Sequence, residues 1–212
     1  LLESLPAFTS DERDVALELV DNCLERKEVD EFDYRFILSF APPGDGGTPK
    51  PIASSGPAAA AAAGSAALTA AVEAAREVAT AQGRPAPILL GVTVLTSLTA
   101  EDLAAQNISV PVEEQVTALA AMARAAGLDG VVCAGSEVRT IKRSCGREFL
   151  TVVPGIRPAW AGAQDQRRTM TPAEALACGA DYLVLGRPVL AALDRRSALA
   201  RILAEMEETV DA

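Results

Sequence analysis

The stretch LTVVPGIRPAWAGAQDQRRTMTPAEALACGADYLVLG, residues 150–186, contains two short apolar runs separated by a polar loop and a helical pattern. The runs at 150–156 and 181–186 are rich in residues that favour strands, and each is short enough to be a strand buried on both faces. A strand, a helix and a second strand in this order predict parallel pairing with a right-handed crossover. This unit predicts an α/β fold.

The helix inside this unit is marked at both ends. Thr171 is the predicted N-cap, Pro172 occupies the first helical position, Glu174 completes a capping box, and Gly179 follows the last turn. These four residues predict a short helix between the two strands.

The same alternation extends over most of the chain after residue 85. Further strands are predicted at 88–95 and 129–134, and helices are predicted over 111–127, 136–146 and 194–210. A closed (β/α)8 barrel has eight strands and usually about 250 residues. With 212 residues and six countable strands at most, the chain predicts either an incomplete barrel or an open doubly wound sheet.

The first third of the chain is less regular. We interpret 1–212 as a single domain in which 85–212 follows a clear pattern and 1–57 is irregular. A strand is possible within 32–40, and the alanine-dense stretch 58–81 favours a helix, because alanine loses no side-chain entropy there. The glycine-rich sequence GDGGTPK lacks the spacing of a phosphate loop and is interpreted as a linker.

Composition excludes several functions. The net charge of -10, without a basic cluster, argues against nucleic-acid and anionic-membrane partners. The absence of histidine excludes a histidine-dependent triad, general base or metal ligand within this chain. No signal peptide and no bilayer-length apolar run are visible, and the four cysteines are widely spaced, so we expect a cytoplasmic protein with buried thiols.

Polar residues follow three of the predicted strands at their carboxyl ends, where α/β proteins build their ligand sites. They are Thr96, Arg157 and the pair Gly186 and Arg187. Glycine would let a phosphate approach the backbone N–H, and the arginine fork can bind two oxygens at once. The alternative for the Gly-Arg pair is a simple turn leading to a surface helix.

The segments GVTVLTSL, AGLDGVVCAGSEV and VVPGIRP with DQRRTMTPAEALACGADYLVLGRPV together resemble the carboxyl-terminal part of orotidine 5'-phosphate decarboxylase, over about 87–194. The resemblance implies a (β/α)8 TIM barrel that is incomplete or altered in its N-terminal third. A weaker match at 53–75 resembles a strand end and the following helix of the family, with Ile52 in place of the family's histidine. The substrate-binding residues implied by the resemblance are Ser54, Thr96, Arg157, Gln166, Gly186 and Arg187.

The resemblance also implies a function: decarboxylation of orotidine 5'-monophosphate to UMP in pyrimidine biosynthesis, without cofactor or metal, by a homodimer. Family members use an Asp-x-Lys-x-x-Asp motif, and none of this chain's three lysines lies in one. The nearest string has Asp33 and Arg35 but Leu38 at the last acidic position, so the catalytic residues are not identified. We expect phosphate binding to be retained and turnover to be lost or greatly reduced.

Three alternatives remain open from the sequence. One is a non-catalytic relative that binds UMP, and a second is another phosphosugar lyase or epimerase with the same kind of barrel. The third is a defective or truncated chain with unpaired sheet edges.

Overall fold

The computed structural model describes residues 37–39, 58–81, 83, 86–161 and 169–208, and the fold is given for these residues. They contain six strands: β1 Ile37–Ser39, β2 Ala58–Ala60, β3 Leu90–Val92, β4 Gly130–Val132, β5 Leu150–Val153 and β6 Tyr182–Val184. Their α-helices are α1 Ser65–Ala81, α2 Ala100–Ala105, α3 Val112–Ala125, α4 Val138–Cys145, α5 Pro172–Ala177, α6 Arg187–Leu190 and α7 Arg195–Glu208.

The six strands form one sheet with the order β1-β6-β5-β4-β3-β2. Strands β2 to β6 are parallel neighbours, and helices connect them along the chain. The α/β class and the four strands predicted after residue 85 are therefore confirmed. Strand β1 lies within 32–40, where the sequence allows a strand. It pairs with β6 in the antiparallel direction.

The prediction of a helix over 58–81 is wrong at its beginning. Ala58–Ala60 form β2, which pairs in parallel with β3, and a 3-10 turn over Ala61–Ala63 follows. Gly64 has a φ of 90°, and α1 begins directly after it. Pairing with the edge of β3 stabilises the strand by more free energy than three alanines gain from their preference for helix. Helix propensity contributes little per residue compared with the pairing of strands in the folded sheet.

Strands β3 to β6 are buried on both faces, as their apolar runs predicted. Val131, Val153 and Leu183 belong to the main core, which also contains the buried side chains of the helices. Val152 and Tyr182, one residue earlier in their strands, belong with Leu90 to a second, smaller cluster. Alternate residues of a strand point to opposite faces, so the second cluster covers the other face of the sheet.

The outer helices pack through periodic apolar stripes. In α7 the buried residues Leu199, Ile202, Leu203 and Met206 recur at helical spacing. Cys133 and Cys145 are buried free thiols, as predicted, whereas the free thiol of Cys178 is only half-buried. Among the helices described, none is both long and apolar enough to cross a membrane.

The amino-terminal edge of the sheet is held by aspartates that precede the strands. The Asp181 carboxylate accepts hydrogen bonds from the Thr151 backbone N–H at 2.6 Å, the Thr151 hydroxyl at 2.8 Å and the Lys142 ammonium at 2.6 Å. Lys142 also donates to the backbone oxygens of Arg147 and Phe149. In the same way, Asp129 before β4 accepts from the backbone N–H of Leu89 at 2.7 Å.

We predict that Asp181→Ala lowers the free energy of unfolding by about 2 kcal/mol, because it removes the charged partner of the half-buried Lys142 ammonium and the carboxylate that accepts from the Thr151 backbone N–H. Urea denaturation measures the change. A double-mutant cycle with Lys142→Met should show coupling, since both changes remove the same ion pair. Strictly additive effects would contradict a stabilising role for the pair.

Candidate functional site

Four of the six candidate residues lie at the carboxyl-terminal edge of the sheet. Thr96 follows β3, Arg157 follows β5, and Gly186 with Arg187 follows β6. Parallel strands bring their carboxyl ends to one edge, and β5 and β6 are direct neighbours. The structure therefore places Arg157 and the Gly-Arg pair on adjacent loops, with Thr96 on the far side of β4.

Arg157 lies at the beginning of a loop whose two ends are joined. Its side chain is 7% exposed, and its backbone N–H donates to the Met170 carbonyl at 2.9 Å. Ile156 and Met170 also form a parallel bridge, so residues 157 and 170 lie side by side. Gln166 belongs to this loop but lies outside the described residues, and its assignment to the site stays a prediction.

Gly186 and Arg187 begin α6. The Gly186 carbonyl accepts from the backbone N–H groups of Val189 and Leu190 at 3.0 Å each, and Pro188 is buried. The side chain of Arg187 is exposed. Apart from its chain neighbours, no atom of the described residues lies within 4 Å of a Cβ placed on Gly186. Gly186 and Arg187 therefore form a turn that leads into a helix, which is the alternative considered for this pair from the sequence. The turn also leaves space beside the Gly186 backbone.

Thr96 lies in a tight turn directly after β3. The turn is closed by a hydrogen bond from the Leu98 N–H to the Leu95 carbonyl at 3.0 Å. Thr93, which precedes it, is buried and donates its hydroxyl proton to the Val132 carbonyl at 2.8 Å. This hydrogen bond joins the end of β3 to β4, so the turn that contains Thr96 begins from a fixed position.

Carboxylates close three loops at this edge by accepting from backbone N–H groups. Asp102 accepts from Thr99 at 2.7 Å, Glu137 from Ala134 at 2.8 Å, and Glu174 from Thr171 at 2.9 Å. Only the third was predicted. The sequence pattern does not indicate Glu137, which is 4% exposed, because alanine occupies the position of the usual Ser or Thr of a capping box. Each of these carboxylates orders a loop of the candidate site.

The loop after β4 packs against the base of the Arg157 loop. A Cβ on Gly135 would lie 2.6 Å from the Met170 sulfur and 3.3 Å from the Met170 Cβ, so the Met170 side chain packs closely against the Gly135 backbone. Met170 thus contacts Gly135 through its side chain and Arg157 through its carbonyl oxygen. The loops after β4 and β5 are packed as one unit.

The remaining residues considered for the site lie either outside the described ranges or at the opposite edge of the sheet. Ser54 lies outside the described residues, and β2 ends at Ala60 with further alanines after it. Lys27 and Lys50 are also outside them, whereas Lys142 lies at the opposite edge in its ion pair with Asp181. Within the part of the chain that the structure describes, no three His, Cys, Asp or Glu side chains are grouped as a metal site requires.

A scan against protein-family models matches residues 55–202 to the Orotidine 5'-phosphate decarboxylase / HUMPS family. The chain is 55% identical over 135 residues to the orotidine 5'-phosphate decarboxylase of Moorella thermoacetica, covering 63% of this chain and 54% of that protein. It is also 55% identical over 120 residues to the enzyme of that name from Saccharophagus degradans, covering 57% of this chain and 50% of that protein. The chain thus spans about half the length of the curated relatives it matches.

Solved structures give the same relationship. The crystal structure of orotidine 5'-phosphate decarboxylase from Lactobacillus acidophilus matches with a TM-score of 0.58 and 37% identity, covering 69% of this chain and 60% of that chain. An uncharacterized conserved protein from Geobacillus kaustophilus matches with a TM-score of 0.57 and 37% identity, covering 69% of this chain and 61% of that one.

We predict that stability contributed by the cap of α5 depends on pH. Hydrogen bonds from the backbone N–H and then the hydroxyl of Thr171 hold the pKa of Glu174 below its ordinary value of 4.5. The stabilisation is fully present above the ordinary pKa and is lost as the pH falls through the lowered one. Thr171→Ala should cost about 1 kcal/mol at neutral pH. Glu174→Gln should flatten the acid limb of a plot of unfolding free energy against pH, and an unchanged limb would contradict the assignment.

We predict that Gly186→Ala leaves the free energy of unfolding within about 1 kcal/mol, because the added methyl meets no atom of the described residues beyond its chain neighbours. Thermal melting measures the change. The matched change Gly130→Ala should instead destabilise the fold, since its Cβ would collide with the Leu150 backbone.

Proposed function

Because this chain belongs to the orotidine 5'-phosphate decarboxylase / HUMPS family, we propose that it serves the decarboxylation of orotidine 5'-monophosphate to UMP in pyrimidine biosynthesis. The observation that carries the proposal is the placement of Arg157 and of Gly186 with Arg187 on adjacent loops at the carboxyl edge of β5 and β6. In this proposal, the described residues supply the phosphate-binding side of the site.

The chemistry of these loops suits a phosphate dianion. Arg187 carries a planar guanidinium that can bind two phosphate oxygens, and Arg157 adds a second positive charge from the neighbouring loop. The chain carries a net charge of -10, so an anionic ligand needs such a local concentration of positive charge. Thr96 contributes a hydroxyl from the loop after β3, toward the nucleoside.

Decarboxylation breaks the bond between the substrate carboxylate and the pyrimidine carbon, releases CO2 and leaves a carbanion that takes up a proton. Binding of the distant phosphate contributes energy that is realised in the transition state. The carbanion needs a nearby ammonium group that stabilises it and then protonates it. Lys142 is at the wrong edge for this role, so the ammonium must come from residues outside the described ranges, of which Lys50 is the candidate, or from another chain.

A second candidate function is UMP binding without turnover. It is favoured by the position of Lys142, since the only lysine within the described ranges is held at the amino-terminal edge by Asp181. The names of the relatives at 49 to 55% identity favour a nucleotide ligand over other phosphosugars.

We further propose that the chain works as a homodimer in the cytoplasm. The homodimer is what the family resemblance implies, and light scattering should then give about twice the chain mass of 22.0 kDa. The buried free thiols of Cys133 and Cys145 support a reducing compartment.

The direct test is the loss of ultraviolet absorbance of orotidine 5'-monophosphate in the presence of the purified chain, together with calorimetric titration of UMP. We predict that UMP binds and that Arg187→Ala weakens binding by about 10- to 100-fold, since a charge-assisted, bidentate contact is lost. Turnover abolished by Arg187→Ala would support the decarboxylase. UMP binding without turnover would support the second candidate, and no UMP binding by the folded chain would contradict both.

A further inference from the structure

The turn that follows Arg157 is attached to the last helix, α7, by two polar contacts. The backbone N–H of Ala159 donates to both carboxylate oxygens of Glu205, at 3.0 and 3.2 Å. The guanidinium of Arg201 lies over the ring of Trp160, 4.6 Å from its centroid. A hydrogen bond from the Ala161 N–H to the Pro158 carbonyl at 2.9 Å closes the turn itself.

Helix α7 is a firm support for this turn. Its apolar stripe, including Leu199 and Ile202, is fully buried in the main core. The helix also packs against α6, whose first residue is Arg187, and against α5, which follows the other end of the Arg157 loop. One helix thus contacts the elements that carry both arginines of the proposed phosphate site.

The ring of Trp160 is held by stacking. Its Nε1 atom is buried and has no hydrogen-bond partner among the described residues, so no such bond is seen to fix the indole N–H. A guanidinium over an aromatic face is attractive because of the ring quadrupole, and the attraction strengthens as water is excluded. Phenylalanine should therefore replace Trp160 without loss of position.

We propose that Glu205 and Arg201 are positioning residues for nucleotide binding. By holding Ala159 and Trp160, they set where Arg157, two residues earlier, lies relative to Arg187, and so they set the affinity for the phosphate without touching it. This inference rests on the proposed function, because the ligand is the nucleotide phosphate assigned there. The contacts of Glu205 with Ala159 and of Arg201 with Trp160 are observed whichever ligand the site binds.

The experiment compares Glu205→Ala, Arg201→Ala and Trp160→Ala with matched controls. Glu205→Gln keeps an oxygen acceptor, Trp160→Phe keeps the ring, and Glu77→Ala removes an exposed acid from α1. Three quantities are measured: hydrogen exchange of the amides at 159–161 in the free chain, the Kd for UMP and for uridine, and the unfolding free energy.

We expect the three alanine variants at the contacts to exchange faster at 159–161 and to bind UMP about five- to tenfold more weakly. Their affinity for uridine should change less, because the displaced group is the one facing the phosphate. Glu205→Gln, Trp160→Phe and Glu77→Ala should stay within about twofold of the unaltered chain in Kd. A merely structural role would lower the unfolding free energy and leave the ratio of the UMP and uridine Kd values unchanged.

Two results would overturn the inference. One is unchanged exchange at 159–161 in Glu205→Ala, and the other is faster exchange with the ratio of UMP to uridine affinity unaltered. If the unaltered chain does not bind UMP, the proposed function is wrong and the affinity claim falls with it. The exchange measurement alone then decides whether α7 holds the turn.

Discussion

The parallel pairing of β5 with β6 is the constraint that connects the fold to its site. Val152 and Val153 pair with Tyr182 and Leu183, and this register brings the ends of both strands to the same edge. The loops that begin with Arg157 and Gly186 therefore start side by side. Without this pairing the loops that carry the two arginines would not lie on neighbouring strands.

The amino-terminal and carboxyl-terminal edges of the sheet differ in the contacts that their side chains make. At the amino-terminal edge, Asp129 and Asp181 accept backbone N–H groups of the neighbouring strand, and Lys142 completes the second contact. At the carboxyl edge, carboxylates such as Glu137 order the loops beside those that carry the proposed phosphate-binding residues. The parallel strands and helices agree with the (β/α)8 barrel fold of the family, here with six strands described, and in such barrels residues at one end serve stability while the loops at the other end form ligand sites.

Sequence patterns predicted the regular part of the fold because its signals are local. Apolar runs and capping residues such as Thr171 specify an element within a few positions, and these elements are confirmed. The strand at Ala58–Ala60 and the antiparallel direction of β1 depend on partners about 30 and 145 residues away, so local propensity could not predict them. The positions of the strand ends predicted the candidate site residues, but not the residues that hold the loops in place. Glu137 has no Ser or Thr three residues before it to mark a capping box. Glu205 contacts Ala159, which is 46 residues away in the sequence.

We propose that the loops after β5 and β6 bind a nucleotide through its phosphate. Calorimetric titration of the unaltered chain with UMP and with uridine isolates this contribution, since the two ligands differ only in the phosphate. We predict that UMP binds about a hundredfold more tightly, the contribution expected of charge-assisted contacts from two arginines. Equal affinities for the two ligands, or binding of neither by the folded chain, would contradict it.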